Sequence, residues 1–183
     1  SSIAHSGYIM IGLIVSALAG EDPIGASSVI FYLVAYSLMT VGAFGILSIL
    51  EKGENSALTV DSLKGLAGRR PWLSLCLTLF LLSLAGVPPT IGFFGKVFIF
   101  SAALKAGFFW LAIWGVISSV ISVYYYLRPI VVMYMSDEDG VEVAEDRYLS
   151  MGAVSVMAAL VLFLGIFSNP IYKAVMAALG HSV

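Results

Sequence analysis

Residues 71–104 run for 34 positions with one charged side chain, Lys96, and a proline pair, Pro88-Pro89, near the middle. A membrane-crossing helix needs about 20 apolar residues. The stretch is too long for one straight crossing and short for two. It is either one helix broken at Gly86–Thr90 or a hairpin of two short helices. About fifteen residues on each side of the break favour a single broken crossing. Pro88 and Pro89 lack backbone N–H groups, and their rings block continuation of the preceding turn. Unwound backbone at that depth persists only inside protein or along a hydrated cavity, where the freed carbonyls find partners.

Four other apolar runs are predicted to cross the bilayer: Ser1–Ala19, Ser27–Leu50, Phe109–Met135 and Tyr148–Phe167. The expected fold is an all-α integral membrane bundle of about five transmembrane helices, one of them discontinuous at Gly86–Thr90. Residues 1–183 read as a single membrane domain with a polar connector at 51–70 and an acidic loop at 136–147. A short amphipathic helix is expected near Val60–Ala67, and a short amphipathic tail from Asn169. Composition agrees: 60% of residues are hydrophobic and 11% charged, against about a quarter charged in soluble domains. The chain does not begin with Met and enters an apolar run at Ser1-Ser2-Ile3 with no basic leader. That is unlike a signal peptide and is read as the C-terminal part of a longer polypeptide.

Lys52, Lys64, Arg69, Arg70 and Arg147 fall on one side of this topology, and Lys105 and Lys173 on the other. The positive-inside rule predicts a cytoplasmic connector and acidic loop, with the tail outside or in the periplasm. A net charge of −2 gives no basis for nucleic-acid binding. One cysteine, Cys76, excludes an internal disulfide and offers no cysteine cluster for iron–sulfur or zinc. His5 and His181 form no ligand-spaced pair, and no glycine-rich nucleotide loop occurs.

Of nine basic and eleven acidic residues, only Lys96 and Arg128 lie within the spans. Lys96 sits about 12 Å from the end of its half-helix at 1.5 Å per residue, beyond easy snorkelling reach. A lysine there costs about 2.5–3.5 kcal/mol on insertion scales and usually faces a bundle interior or wet cavity. Burial disfavours a charged ammonium and a nearby carboxylate favours it, so moving a partner charge can load or unload a proton. Lys96 is therefore a candidate proton relay. No span carries a carboxylate, so its partner is expected upstream or on another subunit. Gly86, Gly92 and Gly95 leave room for close approach near the break, and Ser83 and Thr90 supply hydroxyls. His5 and Tyr8 on the first helix, with Tyr36 and Thr40 sharing a face of the second, either line a hydrogen-bonded path to Lys96 or act as polar glue between helices. An ordinary histidine pKa near neutrality suits His5 to a relay. Arg128 reads as an interfacial anchor supported by Tyr124, Tyr125 and Tyr126, or as a contact to a partner subunit or lipid headgroup.

The stretches SSIAHSGYIMIG, YLVAYSLMTVGAFGILS and SLAGVPPTIGFFGK resemble the antiporter-like membrane subunits of respiratory complex I over nearly the whole chain. That resemblance implies roughly the last five of fourteen helices in a fold of two inverted repeats, including the second discontinuous helix. Lys96 then matches the lysine of that helix, on the outlet half of a proton path, and His5 falls in the family's S-H-G-Y helix. Lysine at 96 differs from the glutamate of the M-type. Thr40 departs from the lysine often present in L-type and Mrp-type relatives, and the L-type's long lateral helix is absent, which together favour the N-type. The implied function is proton translocation in a bacterial inner membrane, driven by quinone reduction on other subunits. Quinone, FMN and iron–sulfur clusters would reside on those subunits and none on this chain. The implied partners are other membrane subunits, the bilayer and protons. An Mrp-type cation/proton antiporter and a membrane scaffold that moves nothing are the competing readings.

Overall fold

The computed structural model describes residues 1–18, 23–51, 59–136 and 148–179. The apolar runs form α1 (Ser2–Leu18), α2 (Ile24–Leu50), α4 (Pro71–Ala85), α5 (Ile91–Lys105), α6 (Phe109–Met135) and α7 (Tyr148–Ile166). A short α3 (Leu66–Arg69) precedes α4, and α8 (Ser168–Ala178) follows α7. No strand occurs among the described residues. Three helices, Ile24–Leu50, Phe109–Met135 and Leu149–Ile166, are long and apolar enough to cross a membrane on their own. α1 has 17 residues, and α4 and α5 have 15 each. The two short halves can cross the membrane only in series.

Contacts along α2 decide between a broken helix and a hairpin. Moving backward along α2, Gly42 meets Phe80 and Met39 meets both Ser83 and the position of Gly92. Tyr32 then meets Gly95, and Ser28 meets the Phe98 carbonyl. α6 repeats the progression, with Tyr134 at Thr78, Ser119 at Lys96 and Gly115 at Phe100. A hairpin would place α4 and α5 side by side at one depth. Here they occupy successive depths, so 71–105 is a single interrupted crossing.

The expected amphipathic helix at Val60–Ala67 is divided. Val60–Leu63 is a 3-10 turn, and Gly65 at φ 63° reverses the chain before α3. Leu63 and Leu66 are buried against the bundle, so the apolar pattern was correct while the continuity was not. Most of the 51–70 connector's first half and nearly all of the 136–147 loop lie outside the described residues, as does His181.

The core is apolar, and so is much of the outside. Trp110 is 74% exposed, and Trp114, Val120 and Ile121 also face outward from α6. An outer face this apolar is suited to lipid or to neighbouring membrane helices rather than water. α8 is anchored by Tyr172, which stacks on Phe98 at 4.1 Å and places its hydroxyl 3.2 Å from Ser28 Oγ. Tyr172→Phe keeps the ring and removes the hydroxyl. It is expected to lower stability by about 0.5–1.5 kcal/mol, measured as a small drop in thermal midpoint of the detergent-solubilised protein.

Candidate functional site

The break is organised by carbonyl accounting. A helix leaves its last four carbonyls without intrahelical donors. Gly86, at φ 89°, donates its N–H to Leu82 O and Ser83 O, and Val87 N–H reaches Leu82 O, each at 3.0 Å. That serves two of the four. In an unbroken helix Leu84 O and Ala85 O would accept from residues 88 and 89. Both are prolines and have no N–H to give. Lys96 Nζ takes their place, 2.9 Å from Leu84 O and 2.9 Å from Ala85 O.

The third lysine donor goes to Ser119 Oγ on α6, also at 2.9 Å. The ammonium therefore has an oxygen for each of its three N–H bonds, and it lies at the negative end of the α4 dipole. Its residue is 5% exposed, and Nζ stands 5.4 Å from the centroid of the Tyr8 ring. Within this chain the broken helix supplies two of the oxygens that hold the charge and α6 the third, with no carboxylate among them; the carboxylate partner expected upstream or on another subunit lies outside this chain.

The remaining break residues shape this cage. Thr90, expected to contribute a local hydroxyl, uses it on Val87 O at 2.7 Å and so closes the turn. Gly92 donates its N–H to Ser83 Oγ at 3.2 Å, and a Cβ at that position would run into the Ser83 carbonyl. Gly95 lies against the Tyr32 ring. The glycines thus admit backbone and aromatic neighbours, which lets α5 lie close enough for Lys96 to reach α4. From α7, Gly165 approaches Pro89 O and Thr90 in the same way.

His5 occupies a second polar cluster. Its Nδ1 is 2.6 Å from Tyr32 Oη and its Nε2 is 2.7 Å from Tyr126 Oη. Tyr36 stacks on the imidazole at 4.6 Å, and Tyr8 meets it edge-on at 5.7 Å. Tyr8 consequently touches both clusters. Tyr126 is buried, so it belongs to the interior and not to the interfacial belt expected of it. Arg128 is exposed on α6. Thr40, expected with Tyr36 either on a path or as polar glue between helices, buries its hydroxyl with no hydrogen-bond partner among the described residues.

Sequence reasoning missed Ser119, Ser122 and Tyr126. Their spacing of three and four in ISSVISVYYY places them on one face of α6. That stripe was the available signal.

The chain matches the family model described as NADH:quinone oxidoreductase/Mrp antiporter, TM, over residues 1–122. It is 54% identical over 175 residues to NADH-quinone oxidoreductase subunit N of Bdellovibrio bacteriovorus, covering 96% of this chain and 36% of that protein. Subunit N 1 of Sorangium cellulosum is 44% identical over 171 residues, covering 91% of this chain and 33% of the relative. The chain therefore spans about a third of the length of these curated relatives. Among solved structures, a chain of respiratory complex I from Thermus thermophilus superposes with a TM-score of 0.80 at 30% identity, covering 95% of this chain and 38% of that one. An Mrp complex from Dietzia has the same fold, with a TM-score of 0.78 at 21% identity and coverages of 96% and 40%. An all-helical, multi-pass membrane chain with this interrupted crossing belongs to the NADH:quinone oxidoreductase/Mrp antiporter family.

Proposed function

We propose that this chain forms part of a proton-translocating membrane subunit of an NADH-quinone oxidoreductase, with Lys96 as a buried proton relay. The observation that carries this reading is the cage at the break. It holds one ammonium by three neutral oxygens, so the lysine can lose its proton without leaving an unpaired carboxylate behind. The chain carries no redox motif. Quinone reduction and the FMN and iron–sulfur chemistry that feeds it belong, on this reading, to other subunits. The basic connector 51–70 and the loop 136–147 face the cytoplasm of a bacterial inner membrane, and the C-terminal tail faces the periplasm. His5, with its phenol partners, is the second relay group.

The test uses the assembled complex in sealed proteoliposomes, with NADH and quinone supplied and lumenal pH followed by a fluorescent probe. Acidification that collapses with an uncoupler and is unchanged when sodium is omitted is the expected result. A strict sodium requirement, with no need for NADH, would establish the Mrp-type reading instead. No pH change under either condition would leave the scaffold.

A further inference from the structure

Tyr8 is 2% exposed, and its hydroxyl is buried with no hydrogen-bond partner among the described residues. A buried hydroxyl without a partner is costly, and native structures nearly always satisfy one with protein or ordered water. The phenol lies beside the hydroxyls of Ser118, Ser119 and Ser122 on α6, none of them in bonding geometry with it. Ser119 already accepts from Lys96, and Ser122 donates to the Ser119 carbonyl. Meanwhile the Tyr8 ring neighbours both groups, its centroid 5.4 Å from Lys96 Nζ and 5.7 Å from the centroid of the His5 ring.

We propose that Tyr8 is a positioning residue that holds one water molecule against Ser119 and Ser122, and that this water links the Lys96 cage to the Tyr126–His5 pair. This rests on the relay reading of Lys96 given above. Three hydroxyls meet the two to four polar partners that a buried water requires. With neutral donors only, and no acidic or histidine cluster among the described residues, the site suits water rather than a metal ion. Ser119, Ser122 and Tyr126 share a face of α6, and Tyr126 Oη is bonded to His5 Nε2. In the transfer, Lys96 gives a proton to Ser119 as Ser119 gives its own to the water. The water passes one of its protons on toward the Tyr126–His5 pair. Lys96 loses one proton, His5 gains one, and every hydroxyl between them ends as it began. Tyr8 itself need not ionise.

The experiment compares the assembled complex carrying the native chain with Tyr8→Phe, which keeps the ring and removes the hydroxyl. Cryo-electron maps that show ordered water are expected to place a peak at about 2.5–3.0 Å from Tyr8 Oη, lost in the variant. NADH-driven proton translocation should slow roughly tenfold, equivalent to about 1.4 kcal/mol of barrier, while assembly and melting temperature hold. Adding Ser119→Ala to Tyr8→Phe should slow it no further than the worse single variant, because both hydroxyls anchor one water. A native map with no peak at Tyr8 Oη overturns the site. A peak with native pumping in Tyr8→Phe overturns its part in the relay, as do additive losses. A native complex that pumps no protons refutes the proposed function separately, and the map still decides the hydration site.

Discussion

Lys96→Arg is expected to leave the complex assembled and to stop proton passage through this chain. An arginine keeps a positive charge and enough donors for Leu84 O, Ala85 O and Ser119 Oγ. Its guanidinium does not release a proton in proteins. The substitution therefore separates the two roles that the geometry gives this residue: capping the broken helix and exchanging a proton. Removing a general acid–base group slows proton transfer by about 10²–10⁴-fold, and loss of NADH-driven acidification in proteoliposomes is the readout. Lys96→Met should fail on both counts. It leaves two buried carbonyls without donors, at about 1–3 kcal/mol each, so assembly and melting temperature fall together with pumping. Native rates of acidification and quinone reduction in an assembled Lys96→Arg complex would end the relay proposal and leave Lys96 as a helix cap.

How much of this was legible beforehand depended on how local each cause is. The crossings follow from apolar runs bounded by charged connectors, and the structure keeps α6 at the boundaries read from sequence, Phe109–Met135. The position of the break follows from the pair Pro88-Pro89, which removes two successive backbone donors, whereas the single Pro129 stays inside α6. The identity of Lys96 as a buried charge follows from the cost of placing it anywhere else. The cage was not legible, because it depends on which carbonyls the turn at Gly86 satisfies and which it leaves. Ser119 comes from a helix 23 residues onward, and in a one-dimensional reading its hydroxyl is one of several on α6. Tyr126 was misassigned for the same reason. Three consecutive tyrosines near a helix end look like an interfacial belt, and only the packing of α6 on α1 turns the third inward to His5, 121 residues away. Thr40 shows the limit of such a reading: sharing a face with Tyr36 is a statement about one helix, and it does not say what lies opposite.

Gly92→Ala should be the most damaging conservative change at the break. The added methyl would overlap the Ser83 carbonyl oxygen and stand 2.8 Å from Met39 Sδ. Overpacking a core costs about 1–3 kcal/mol when side chains can shift. Here the first obstacle is the backbone of α4's last turn, which Gly86 and Val87 already hold by hydrogen bonds to Leu82 O and Ser83 O. Relief must come from moving α5 away, and α5 carries Lys96. The cost should reach about 3 kcal/mol or more, seen as a lower melting temperature and reduced assembly, with proton translocation lost in whatever complex remains. Two further variants isolate the cause. Met39→Ala added to Gly92→Ala should not restore stability, because the sulfur is the lesser obstacle. Gly7→Ala, at an exposed α1 position with nothing within 4 Å of the new methyl, should be neutral or slightly stabilising. Native stability in Gly92→Ala, or full rescue by Met39→Ala, would mean that the α4–α5 junction is looser than this packing requires. The lysine would then not depend on close apposition of the two half-helices to reach its carbonyls.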